Sequence, residues 1–218
     1  LADTAESGDF FGYALAAGDL TGDGRDELVV GAWGEDSREG VGHVLLGSAA
    51  GLTSVGSQLR GQGSSGVLDA GEVDDFFGYS VAVGDFTGDG VHDDLAVGAP
   101  GEDDRSGAIH VLLGTATGAS TAGDQFWTQN SPAVIGAGEP YDMWGESLRA
   151  ARVVSSARAD LLVGIPGEYY VEDNEGGLHF MPGDPTGLSS VGDQQFAPSI
   201  LNVEGDPHLN GFFGRALG

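Results

Sequence analysis

Apolar positions along the chain come in short runs separated by turns rich in Gly, Asp and Ser. Leu28–Ala32, Leu95–Ala99 and Leu161–Ile165 are nearly unbroken apolar runs, the pattern of a strand covered on both faces. Ahead of the first two, Tyr13–Ala17 and Tyr79–Val83 alternate small and branched residues, which predicts a preceding strand. A third strand is predicted to start at His43, His110 and His179, and a fourth near Gln58-Leu59-Arg60, Gln125-Phe126-Trp127 and Gln195-Phe196. The 40 glycines argue against long helices, since each interior Gly costs about 0.8–1.0 kcal/mol relative to Ala.

These elements repeat. Gly12, Gly78, Gly145 and Gly214 each follow an aromatic residue (Phe11, Phe77, Trp144, Phe213), at spacings of 66, 67 and 69. Val30-Gly31-Ala32, Val97-Gly98-Ala99 and Val163-Gly164-Ile165 keep step with them, as do Ala50-Gly51-Leu52, Thr117-Gly118-Ala119 and Thr186-Gly187-Leu188. Four-stranded units of this length predict an all-β fold, a β-propeller of antiparallel blades. A stacked solenoid is the alternative, but its repeats are usually much shorter. The blades are expected at about 8–74, 75–141 and 142–211, with 212–218 opening a fourth. Propellers close with four to eight blades. Three blades therefore imply a larger propeller, completed by further sequence or by another chain.

Asp19-Leu20-Thr21-Gly22-Asp23-Gly24-Arg25-Asp26-Glu27 separates the first two strands of unit one, and Asp85-Phe86-Thr87-Gly88-Asp89-Gly90-Val91-His92-Asp93, then Asp94, does so in unit two. Side-chain oxygens at positions 1, 3, 5 and 9 with Gly at 6 suit a hard cation, which takes six to eight oxygens at about 2.3–2.6 Å. The bland alternative is an Asp/Gly-rich turn holding no ion.

The order of aromatic-Gly, acidic hairpin and Val-Gly-Ala-Pro resembles the FG-GAP repeat of the integrin alpha-chain propeller and of bacterial exported proteins. The resemblance covers essentially the whole chain. It implies calcium ligands Asp19, Thr21, Asp23, Arg25 through its carbonyl, and Glu27, then Asp85, Thr87, Asp89, Val91 through its carbonyl, and Asp93. Thr stands at position 3, where the family commonly has Asn or Asp. One extra residue in unit two leaves Asp93 and Asp94 as rivals for position 9.

Unit three departs further. Aligning Asp160 with Glu27 puts Arg152, Val154, Ser156 and Ala157 at positions 1, 3, 5 and 6. Two calcium sites are therefore expected, not three. Arg152 is expected either to offset the charge of Asp160 or to lie in solvent.

The net charge of −26, from 34 acidic and 8 basic residues, makes nucleic acid and anionic membrane surfaces poor partners. All basic residues are Arg and there is no Cys, which excludes a Walker lysine, a Schiff-base lysine, thiolate zinc sites and disulfides. No apolar run reaches the 18 or so residues of a membrane span. The spacing of His43, His110 and His179 is the repeat itself, so they are expected at equivalent strand positions and not on one metal. Gly61-Gln62-Gly63-Ser64-Ser65-Gly66 fits a dinucleotide loop in letters alone, because no helix is predicted after it. The loops after strand two carry Glu35-Asp36, Glu102-Asp103-Asp104, and Glu168 with Glu172, Asp173 and Glu175. A solvated acidic rim is expected there, with a face for a cationic partner or further calcium as the alternative. The resemblance implies a non-catalytic recognition and adhesion module, secreted or displayed on a cell surface, with a protein or glycan ligand on a propeller face. A carbohydrate-binding propeller, for which Tyr169 and Tyr170 are the weak candidates, and the accessory propeller of a secreted enzyme are the alternatives.

Overall fold

A computed structural model describes residues 4–169, 175–201 and 211–217. The first sheet runs β1 (Ala14–Gly18), β2 (Glu27–Ala32), β3 (Val41–Ser48) and β4 (Gly51–Arg60). The second runs β5 (Ser80–Gly84), β6 (Asp94–Ala99), β7 (Ala108–Thr115) and β8 (Gly118–Thr128). Each is antiparallel, with its strands side by side in sequence order. The third has β9 (Leu148–Ala151), β10 (Asp160–Ile165), β11 (Gly177–Met181) and, after a separate short hairpin of β12 (Gly183–Asp184) and β13 (Gly187–Leu188), β14 (Gln194–Phe196). The fold is all-β and built of propeller blades.

The third blade breaks where the first two only bulge. β3 and β4 shift register between Val44 and Leu46, and β7 and β8 between Val111 and Leu113. The repeat puts Pro182 at the position of Leu46, where proline has no N–H to give the ladder. The Pro182 carbonyl accepts from Ser189 N at 3.0 Å, but the strand is cut there and its outer end becomes the β12–β13 hairpin.

Both cores lie between blades. Leu20, Val29, Val44, Phe77, Val81 and Leu95 pack between blades 1 and 2. Phe86, Ile109, Trp144, Leu161, Ile165 and Met181 do so between blades 2 and 3. The second-strand glycine sets how closely blades approach. A Cβ on Gly31 would fall 2.0 Å from the carbonyl oxygen of Gly78, one on Gly98 2.2 Å from that of Gly145, and one on Gly164 1.9 Å from that of Gly214. The aromatic-Gly pair of each unit thus docks on the Val-Gly pair of the unit before it. Ser80 Oγ and Ser147 Oγ each donate to the incoming carbonyl, at 2.6 Å. Residues 211–217 carry the last such docking, with Phe213 N donating to Glu175 O at 2.9 Å. A first strand is held by its own second strand, which these residues do not include.

The repeated histidines sit under the repeated aromatics. Phe77 lies 5.3 Å from the His110 ring, and Trp144 Nε1 donates to His179 Nδ1 at 3.2 Å. His110 Nδ1 and His179 Nε2 each lie 3.0 Å from a carboxylate, Asp124 and Asp193. Those carboxylates also accept from Leu68 N and Ile135 N in the linkers between blades. The three histidines occupy three blades. Burial lowers the pKa of His179, against the pull of Asp193.

Gly98→Ala is predicted to cost about 3 kcal/mol through overpacking at this approach. Gly63, with nothing within 4 Å of an added Cβ, is the control and should accept Ala with little change. Equal denaturant midpoints for the two variants would contradict the role given to Gly98.

Candidate metal centres

Antiparallel order puts the hairpins between strands one and two at one end of each blade. The turns between strands two and three, and the linkers between blades, lie at the other end. Acidic residues gather at both.

In the first hairpin Asp19 is folded over its own turn. Its Oδ1 accepts from Asp23 N at 3.1 Å and its Oδ2 from Gly24 N at 2.7 Å. Asp23 accepts from Arg25 N and pairs with Arg25 Nη1, both at 2.9 Å. Thr21 Oγ1 is buried without a hydrogen-bond partner. In the second hairpin Asp85 accepts from Gly88 N, Asp89 N, Gly90 N and the Thr87 hydroxyl. Asp89 accepts from Val91 N at 2.6 Å and His92 N at 2.8 Å. Those N–H groups and the His92 ring lower its pKa despite desolvation. Gly24 and Gly90 have φ of +85° and +69°, which glycine adopts at little steric cost.

The structure folds position 1 over the backbone N–H of position 5 in each hairpin, adds the position-3 hydroxyl in the second, and gives position 9 a separate task. Glu27 stands opposite Gly18 and accepts from Thr21 N at 2.9 Å and Gly47 N at 3.2 Å. Asp94, not Asp93, takes that register, opposite Gly84, and accepts from Thr87 N and Gly114 N. Asp93 instead crosses to blade 1, where its Oδ2 accepts from Asp19 N at 3.0 Å and its own N–H donates to Asp19 O at 2.9 Å. The extra residue of unit two thus lies before Asp94. Burial raises the pKa of both Asp93 and Asp94. Among the described residues, no three carboxylates of either hairpin come within 4.8 Å of one another.

Blade 3 keeps the clamp and loses the rest. Asp160 accepts from Val153 N, Val154 N and Gly183 N at 2.8–3.0 Å. With its oxygens occupied by backbone, it forms no ion pair with Arg152 among the described residues, and Arg152 is exposed. Ala157 does not take a positive φ. The neighbouring Arg158 turns back to blade 2, where its Nε donates to Thr87 O at 3.0 Å.

At the opposite end the expected rim is half interior. Glu35, Glu102 and Glu168 are buried, while Asp36, Asp103 and Asp104 are exposed. Left-handed turns produce this split: Asp103, Asp104 and Arg105 have φ of 47°, 57° and 67°, and Asp36, Ser37 and Arg38 are alike. L-residues in that conformation cost about 1–2 kcal/mol each. Each buried Glu meets a Glu-x-x-Asp stretch that precedes an aromatic-Gly pair. The triads are Glu6/Asp9/Glu35, Glu72/Asp75/Glu102 and Glu139/Asp142/Glu168, with one oxygen per residue within 4.8 Å of the others. Desolvation first, then neighbouring carboxylates, raise Asp75 to about 6 and Glu102 to about 7. Asp142 and Glu168 rise to about 7, again chiefly through burial. Glu6, Glu72 and Glu139 keep step with the repeat, so the sequence carries this signal beside the aromatic-Gly and Val-Gly landmarks. Tyr170, Glu172 and Asp173 lie outside the described residues, and Tyr169 is exposed.

The same end carries an aromatic group. Phe10 stacks on Trp33 at 4.4 Å, Phe76 meets Trp33 edge-on at 5.3 Å, and Tyr13 donates to the Tyr79 hydroxyl at 2.8 Å. A cavity of about 260 Å³ opens beside it, lined by Trp33, Phe76, Tyr79, Pro100, Met143 and Glu146 among others. Trp33 stands where the other units have Pro100 and Pro166.

A family model described as FG-GAP repeat matches residues 11–46 and 77–112, the first three strands of blades 1 and 2. The phosphatidylinositol-glycan-specific phospholipase D of Bos taurus is 36% identical over 164 residues, which is 71% of this chain and 18% of that protein. Integrin alpha-8 of Gallus gallus is 36% identical over 91 residues, 42% of this chain and 8% of that protein. Integrin alpha-8 of Mus musculus is 25% identical over 217 residues, 95% of this chain and 18% of that protein. The chain thus spans less than a fifth of the length of these relatives. No helix among the described residues is long and apolar enough to cross a membrane. With the Val-Gly strand and the acidic hairpin in place in both matched stretches, and the aromatic-Gly pair of the second docked on the strand of the first, the chain carries FG-GAP repeats of the integrin-like propeller type.

Proposed function

We propose that this chain is a calcium-stabilised, non-catalytic recognition and adhesion module that works outside the cell. The buried, unpartnered Thr21 Oγ1 carries the calcium reading. An oxygen in that state calls for a ligand, and it stands at position 3, in a turn that also holds Asp19 and Asp23. The donor set is all oxygen, which fits a hard cation. Asp19, Thr21, Asp23 and the Arg25 carbonyl would hold the first ion, and Asp85, Thr87, Asp89 and the Val91 carbonyl the second. Glu27 and either Asp93 or Asp94 would complete the sets, although Glu27 and Asp94 already clamp backbone N–H groups. When bound, the ion neutralises carboxylates that otherwise rely on backbone N–H groups and on Arg25. Blade 3 offers no comparable set.

An ion that binds only the folded chain adds about 2.7 kcal/mol per site at a hundredfold excess over its dissociation constant. Chelation is therefore predicted to lower Tm, and Asp23→Ala or Asp89→Ala to remove part of the calcium response. Identical melting in chelator and in millimolar calcium would overturn the reading.

Further blades are part of the proposal. Leu15 is 61% exposed, whereas its equivalents Val81 and Leu148 are each 8% exposed under a neighbouring blade. Phe11 is also open, while Phe77 and Trp144 are buried. We infer that another blade covers Leu15 and Phe11, from the same polypeptide or another one. Solution scattering of the 218 residues should show an open arc or an assembly, and a closed monodisperse monomer would refute this.

A carbohydrate ligand is the second reading. The aromatic cavity beside Trp33 favours it, with flat apolar rings next to the carboxylate of Glu146. The ligand face is then the end away from the acidic hairpins. A glycan array should show binding that Trp33→Ala abolishes; binding unchanged by that substitution would remove the cavity from consideration.

A further inference from the structure

Two of the three carboxylates are buried in each of the triads around Glu102 and Glu168, and the third, Glu72 or Glu139, is exposed. Asp75, Glu102, Asp142 and Glu168 are all buried, and among the described residues no basic side chain pairs with any member of Glu72/Asp75/Glu102 or Glu139/Asp142/Glu168. Clustered carboxylates alone do not make a site.

The second observation comes from the preceding blade. Gln62 follows β4 and Gln129 follows β8, and they are 3% and 2% exposed. Each points its amide into a triad: Gln62 Nε2 donates to Glu102 Oε2 at 2.6 Å, and Gln129 Nε2 to Glu168 Oε2 at 2.6 Å. In both, Oε1 is buried with no hydrogen-bond partner. Buried acceptors are rarely left unmatched, and here the same atom is unmatched at two successive junctions. Half a turn of the amide exchanges Oε1 and Nε2. The oxygen then faces the glutamate, an arrangement that only a cation between them would hold, and Nε2 takes the place of the unmatched acceptor.

We propose that each of these two junctions binds a hard divalent cation of the calcium type, through Glu72, Asp75, Glu102 and Gln62 Oε1 at one and Glu139, Asp142, Glu168 and Gln129 Oε1 at the other. Three carboxylates and an amide oxygen supply four to seven oxygens, depending on how many carboxylates bind through both, and no nitrogen or sulfur. Access to the first junction is open, because Glu72 and Asp75 border a polar cavity of about 480 Å³ that also reaches Asp103, Asp104 and Tyr141. The ion would join the end of one blade, the linker and the second-to-third-strand turn of the next. These sites lie at the opposite end of the blades from the acidic hairpins and do not depend on calcium binding there. Glu6/Asp9/Glu35 is left out, since Asp9, unlike Asp75 and Asp142, is only half-buried.

The test is calorimetric titration of Ca²⁺ into chelator-treated Asp23→Ala/Asp89→Ala protein, which silences the hairpins whether or not they bind. Two equivalents should remain. Adding Glu102→Gln and Glu168→Gln should remove both, and Gln62→Leu should weaken one at least tenfold and leave the other unchanged. No residual binding, or residual binding that survives the glutamate substitutions, overturns the proposal. Should the combined variants fail to fold, the side-chain amide resonances of Gln62 and Gln129 in the unsubstituted protein decide. They shift on Ca²⁺ addition if the sites exist and stay fixed if they do not.

Discussion

The fold depends on one close approach: the carbonyl of an aromatic-Gly pair set against the Cα of a second-strand glycine in the preceding blade. At Gly31, Gly98 and Gly164 the space for a Cβ is already filled by that oxygen. The contact fixes blade spacing, brings Phe77 and Trp144 over the strand-three histidines, and gives the incoming loop its place. Everything at the linker end follows. Asp75 and Asp142 come next to Glu102 and Glu168 only because the residues after them are pinned.

The two ends of the blades handle negative charge in different ways. At the hairpin end the carboxylates are tied to backbone N–H groups, whether exposed as Asp23 is or buried as Glu27, Asp85 and Asp94 are. At the linker end they meet carboxylates from other segments and are buried, so their pKa values rise toward neutrality. The −26 charge of the chain is thus more than a solvated coat.

Most of the fold was legible because the repeat is written in residues that cannot be exchanged. Gly31 and Gly78 mark a contact, and their spacing survives whatever surrounds them. The break at Pro182 was less visible, since one residue without an N–H undoes a ladder that neighbouring letters still suggest. The candidate sites were half legible. Asp19 and Asp85 do fold over their turns, but a carboxylate at position 9 reads the same in sequence whether it faces an ion or Thr21 N and Gly47 N. Asp160, retained where the other acidic positions have gone, shows the backbone role. The triads are hard to read in the sequence because their members lie about 30 residues apart, in an exposed-looking loop and a linker, and come together only in the folded blades.

The direction of that docking bears on how the chain folds as it is made. Each blade is locked by residues of the next, and 47 residues separate Gly31 from Gly78 and Gly98 from Gly145. A nascent blade can therefore pair its four strands while its inner face waits for the ribosome to deliver the lock. Folding would proceed from the N-terminus in steps of one blade, with contacts that reach little further along the chain than one repeat, which favours speed over what a β-rich topology usually allows. The vulnerable interval is the one in which a finished sheet stands with its glycine strand uncovered.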